Sequence, residues 1–135
     1  MEEFEVKLFT TILEKLPQSC RWYVDQYLDD AFKDGQLLEL EKYASELPEA
    51  YNYYYSHCIE LTDECISYLI RELKNDDSLI NYTYQHAIAH GDEMLMVVFD
   101  QTLFSIHKSF GFSDEFIRLC EENFVYIDVE DHIVL

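Results

Sequence analysis

The 135-residue chain carries 28 acidic residues against nine Lys and Arg, which gives a formal net charge of −19. Such a field repels nucleic acid, whose binding depends on Lys and Arg that neutralise phosphates, and it repels anionic membrane surfaces. It attracts cations and basic proteins and speeds their association. The composition therefore predicts that the protein binds neither nucleic acid directly nor a membrane, and it favours a basic protein as partner.

A single domain spanning residues 1–135 is expected from this length and from a hydrophobic content of 49%. The start of the chain, MEEFEVKLFTTILEKL, is acidic and amphipathic, unlike a secretory signal, and the longest apolar run, MLMVVF, is much shorter than a membrane span. The four cysteines form no C-x-x-C pair and lie among apolar residues, which is typical of free, buried thiols. These features predict a cytoplasmic location.

Helical patterns dominate the first part of the chain, about residues 1–75. Apolar residues recur every three or four positions over residues 3–16, and Pro17 ends this predicted helix. Further helices are predicted from the same spacing over about 20–34, over 36–47, from Pro48 through Cys58, and over 63–74.

Strand patterns follow in the part from about residue 79 to residue 135. INYTYQHAIAH alternates with a period of two, and MLMVVFD and TLFSIHKSF are rich in β-forming residues. GFSDEFIRLCEENF returns to a helix with Ser113 as its cap, and VYIDV and HIVL are predicted as short closing strands. The predicted fold is α+β, with N-terminal helices followed by a small, mostly antiparallel sheet and one C-terminal helix. The predicted core includes Leu8, Ile12, Trp22, Leu28, Ile66, Leu69, Ile70, Val97, Phe99, Ile117 and Phe124.

The strongest candidate for chemistry is the motif HAIAHGD. His86 and His90 share one face of a strand, and Asp92 and His107 would complete a metal site. Position 87 is alanine, so the glutamate that serves as general base in zinc proteases is missing. We therefore expect no catalytic residue, no cofactor and no bound metal. A metal-dependent enzyme centred on these four residues is the alternative.

Tyrosines are concentrated in the stretch EAYNYYYSHCIELTDE, in a chain that has 11 of them. Helical spacing would place Tyr51, Tyr54 and Tyr55 on the apolar side with Cys58, and would turn Tyr53 to solvent. Tyrosine offers a large, rigid contact area with a polar tip, and acids beside exposed tyrosines suit partners rich in Lys and Arg. We expect most of these side chains to belong to the core, and Tyr53 and Tyr55 to be aromatic anchors for a partner.

The charge is most one-sided after residue 75, where twelve acids meet only two bases. The predicted partner-binding acids are Asp76, Asp77, Asp92, Glu93, Glu121, Glu122, Asp128, Glu130 and Asp131. A small acidic inhibitor that covers a basic functional surface of its partner would have this character, and in size and charge the chain resembles toxin-immunity proteins that neutralise nuclease-type toxins. A nucleic-acid mimic aimed at a DNA-binding protein, and an acidic adaptor subunit whose charge serves solubility, are two further interpretations.

Overall fold

A computed structural model describes residues 4–33, 35, 37–47, 55–75 and 84–134. Within these ranges the fold is α+β, as the sequence predicts, with helices packed on one face of a mixed sheet. The helices are α1 (Phe4–Lys15), α2 (Gln26–Lys33), α3 (Leu38–Glu41), α4 (Asp63–Asn75) and α5 (Asp114–Glu122), with a short 3-10 helix at Lys108–Phe110. The strands are β1 (Cys20–Val24), β2 (Ala44–Glu46), β3 (His57–Leu61), β4 (His86–His90), β5 (Glu93–Phe99), β6 (Leu103–His107) and β7 (Tyr126–Glu130).

The seven strands form one sheet in the order β2-β3-β1-β4-β5-β6-β7, which is larger than the small sheet that the sequence predicts. Neighbouring strands are antiparallel except β6 and β7, which are parallel. Parallel neighbours need a crossover connection, and α5 provides it. The two edges of the described sheet are therefore β2 and β7.

Three strands lie in the part of the chain that is predicted to be helical. β1 occupies the first five residues of the helix predicted over 20–34, β2 lies at the end of the one predicted over 36–47, and β3 contains Cys58. The helix predictions are wrong at these positions. β1 runs between β3 and β4 and is buried at every position except Arg21, so CRWYV lacks the regular alternation that marks a half-exposed strand.

The remaining elements largely follow the predictions. The helices predicted over 3–16, over 63–74 and after Ser113 are confirmed as α1, α4 and α5. The Ser113 hydroxyl accepts a hydrogen bond from the backbone N–H of Phe116 at 3.1 Å, which caps α5 as expected. The strands predicted after residue 79 are confirmed as β4 to β7, although β4 begins only at His86 and residues 80–83 of the first predicted strand lie outside the described residues. HIVL forms no strand. After a bend, Ile133 is instead buried against the sheet face opposite the helices.

The main core lies between the helices and the sheet, and a smaller cluster lies on the opposite face. Among the predicted core residues, Leu8, Ile12, Trp22, Leu69 and Val97 are confirmed as buried, and Ile66, Ile70 and Ile117 are partly buried. The prediction is wrong for Phe99, which is 37% exposed, and for Phe124, which is 74% exposed. The side chain of Leu28 lies outside the described part of the structure. No helix in that part is long and apolar enough to cross a membrane.

All four cysteines are free and buried. Burial raises the pKa of Cys20 to about 11 and that of Cys65 to about 12. Because thiolate is the reactive form, a pKa raised by about two units lowers its fraction about 100-fold at neutral pH. We expect Cys20 and Cys65 of the native protein to react with a thiol-specific disulfide reagent at least about 100-fold more slowly than the thiols of the urea-unfolded protein. An exposed Glu122→Cys variant is the positive control, and rapid reaction of native Cys20 or Cys65 would contradict the prediction.

Candidate functional site

His86 lies in the main core where α1, β1 and β4 meet. Its Nδ1 accepts a hydrogen bond from Nε1 of Trp22 at 3.0 Å, and the ring of Phe9 stands edge-on with 5.0 Å between ring centroids. Burial lowers the pKa of His86 to about 3, so the ring is neutral at pH 7 and carries its proton on Nε2. Within the described residues that Nε2 is buried and has no hydrogen-bond partner. These contacts make His86 a residue of the core.

The other members of the alternative metal site lie elsewhere on the sheet. His90 is exposed at the far end of β4, about 13 Å from His86 along the strand because each residue advances the chain by about 3.3 Å. Nε2 of His107 lies 2.9 Å from Oε1 of Glu93, and its Nδ1 accepts the backbone N–H of Ser109 at 3.1 Å. No group of three or more His, Cys, Asp or Glu side chains in the described ranges is placed to hold a metal ion. The structure therefore does not bring the four predicted ligands together.

The predicted partner-binding acids that the structure describes are all exposed, and they fall into two groups. The first group lies at the turn between β4 and β5 and at the end of β7. These two places are close because β5 is antiparallel to β6 and β7 is parallel to it, so the start of β5 and the end of β7 both lie at the end of β6. This group comprises Asp92, Glu93, Glu130 and Asp131. It is not purely acidic, since Lys108 Nζ lies 3.3 Å from Asp131 Oδ1, and Lys15 and His90 line a concavity together with Glu93.

The second group lies toward the other end of these strands and includes apolar side chains. Phe99 pairs with Leu103, and Leu103 pairs with Tyr126, so the three residues form one row across β5, β6 and β7. We call Phe99, Leu103 and Tyr126 the apolar patch. They line a concavity of about 420 Å³ together with Glu121 and Asp128. No Lys or Arg occurs among the described residues that line it.

The loop between β5 and β6 holds the first two members of the patch in register. Asp100 and Gln101 both have positive φ, 51° and 66°, which is uncommon for residues other than glycine. The backbone N–H of Gln101 donates to the carbonyl of Tyr84 at 3.1 Å, and Nε2 of Gln85 donates to Oδ1 of Asp100 at 3.2 Å. These contacts from the segment before β4 support the strained loop beside Phe99 and Leu103.

Glu121 and Glu122 do not act as one cluster. Glu121 lines the concavity of the apolar patch, whereas Glu122 lines a different one of about 510 Å³ with Glu115 and Arg118. Adjacent residues of a helix point about 100° apart, which explains the separation.

Tyr55 is buried, only 5% exposed, and its ring packs against that of Tyr23 with 6.1 Å between centroids. The hypothesis that Tyr55 anchors a partner is corrected accordingly, because a buried ring serves the smaller core cluster. The predictions for Tyr53, Asp76 and Asp77 lie outside the described residues.

Leu103 and Tyr126 are surface residues that were not predicted from the sequence. The alternation of LFSIH and YIDVE contained this information. In the first strand it places Leu103 and Phe104 on opposite faces, and in the second it places Tyr126 on the same face as Asp128 and Glu130. Alternation identifies the residues of one strand that share a face. That Leu103 and Tyr126 lie side by side in one patch follows only from the pairing of their strands.

Comparison with protein-family models, with curated proteins and with solved structures finds no match.

Proposed function

We propose that the protein is a small acidic inhibitor that binds another protein and neutralises its basic functional surface, in the manner of an immunity protein against a nuclease-type toxin. The observation that carries this proposal is the net charge of −19, together with the exposure of every described acid that the sequence assigns to the partner-binding face. A nuclease must present a basic cleft to its substrate, so an acidic protein competes for the same surface and reaches it quickly.

The exposed apolar patch beside these acids also supports a protein partner. Charged residues alone give fast encounter and selectivity, whereas buried apolar and aromatic contacts give most of the affinity at protein interfaces. The apolar patch is 37–47% exposed at each of its three residues and has acids on its rim. A cytoplasmic location belongs to the same proposal, and the four free thiols suit a reducing compartment.

The test is capture of partners by the full chain from a lysate of its native host at low and at high salt, followed by an activity assay. We expect a basic protein that is retained at low salt and released at high salt. Added to the purified partner, the chain should abolish its activity, for a nuclease the cleavage of nucleic acid, at a stoichiometric amount.

The control is the variant Glu121→Lys with Asp128→Lys, which reverses two acids of the concavity and should inhibit more weakly. A captured partner that is acidic would contradict the proposal, as would one whose retention is indifferent to salt or whose activity is unchanged by the protein.

A further inference from the structure

Strand β7 closes one edge of the sheet beside the apolar patch. In the described part of the chain its strand neighbour is β6 alone, so its outer edge can offer main-chain N–H and C=O groups to an added strand. Four of its five residues are exposed, and only Ile127 is buried. Natural sheets often protect such an edge with a covering segment or with charge.

The side chains of β7 alternate between the two faces of the sheet. Tyr126, Asp128 and Glu130 share the face opposite the helices, where Tyr126 adjoins Leu103. Along this face the edge therefore presents one apolar position followed by two carboxylates. The centre of the same face is closed by Ile133, which packs with the smaller core cluster, while the row of the apolar patch stays exposed.

These charges decide between the possible occupants of the edge. Antiparallel pairing of two copies centred on Asp128 would place two carboxylates directly opposite each other, which is destabilising, and each copy carries a net charge of −19. A strand with cationic side chains would instead form opposite-charge pairs at Asp128 and Glu130. Tyr126 can also contact an aliphatic side chain or receive a cation on its ring.

We propose that β7 is the docking edge for an extended, basic segment of the partner, which adds to the sheet as an eighth strand. On the face that carries the apolar patch, this segment places an apolar side chain at Tyr126 and Lys or Arg at Asp128 and Glu130, so its recognition pattern is one apolar residue and two cations at alternate positions. Main-chain hydrogen bonds supply affinity in this mode of recognition, and the alternate side chains supply specificity. The inference rests on the proposed function, since it specifies how the basic partner is held.

The probe is a short synthetic peptide with blocked ends, in which one leucine and two lysines alternate with threonine. We expect it to bind the full chain at about 20 mM NaCl and to shift the backbone amide signals of β7 in NMR spectra. The variant Asp128→Lys with Glu130→Lys should weaken binding about tenfold or more, and Asp128→Asn with Glu130→Gln should have an intermediate effect.

The matched control is Glu41→Lys with Glu46→Lys, which changes the net charge equally at the end of α3 and in β2, the strand at the opposite edge of the sheet. Both control residues are exposed, and the two edges are six strand spacings apart, roughly 29 Å. The control should keep its affinity within about twofold. A second control is the same peptide N-methylated at every residue, which keeps the charge but has no backbone N–H to donate to β7 from either edge, and it should not bind.

Three outcomes of the peptide experiment would overturn the inference: absence of peptide binding, equal losses in the two lysine variants, or equal binding of the methylated peptide. Each variant is first checked for a native thermal unfolding transition. The proposed function fails separately. If the captured partner is inhibited equally by the wild type and by the β7 variant, inhibition stands and the docking edge is wrong. If the peptide binds at β7 but no basic partner is inhibited, β7 stands as a docking edge and the proposed inhibitor function is wrong.

Discussion

Association of the protein with its basic partner should slow by about tenfold or more between 0.01 M and 0.1 M salt, because the Debye length falls from about 30 Å to about 10 Å over that range. The net charge of −19 steers a cationic surface toward the chain at low salt, and this long-range attraction acts mainly on the on-rate. The measurement is the pair of association and dissociation rates across a salt series, made with the partner captured from the host.

Location on the molecule should decide which charge reversals matter. Glu121→Lys with Asp128→Lys reverses two acids that line the concavity of the apolar patch and should lower the on-rate further. Glu41→Lys in α3 with Glu46→Lys in β2, the strand at the other edge of the sheet, should have little effect at 0.1 M salt. An on-rate that does not change with salt would mean that the charge serves solubility alone, and the inhibitor proposal would be withdrawn.

Acidification from pH 7 to pH 5 should reduce the free energy of unfolding by about 2 kcal/mol through His86 alone. The unfolded chain binds a proton at this imidazole near pH 6.5, and burial delays protonation of the folded chain to about pH 3. The unfolded state binds more protons between these two pH values. The contribution of the buried His86 to stability is therefore fully present above pH 6.5 and is lost as the pH falls toward 3. Urea unfolding at a series of pH values measures the slope.

A non-titrating side chain isolates this contribution from the many carboxylates that also titrate in acid. His86→Gln keeps an acceptor near the indole N–H of Trp22 and should be less stable at every pH, but its stability should fall less steeply between pH 7 and pH 5. His90→Gln, at an exposed position, is the matched control for the substitution itself. Identical slopes for the wild type and His86→Gln would contradict the neutral, buried imidazole.

Regular local patterns predicted part of the fold from the sequence. α1, α4 and α5 each expose one face, so their apolar residues follow the helical period, and Ser113 marks the start of α5 by its capping hydroxyl. The alternation of HAIAH and the β-forming residues of MLMVVFD and TLFSIHKSF predicted strands in the second half. β1 and β3 were missed because each is buried at four of its five positions, with only Arg21 and Glu60 exposed, and a short segment without regular alternation fits a helix as well as a strand.

The sequence by itself determined the charge of this protein, its α+β class and the exposure of the acids near its end, because these follow from composition and from periods within single elements. Only the tertiary structure decided that His86 belongs to the core and that Phe99, Leu103 and Tyr126 meet at one surface. The physical reason is that alternation fixes which side chains share a face of one strand. Which strands become neighbours, and which part of a face is covered by another segment such as the tail at Ile133, depends on contacts between residues far apart in the chain.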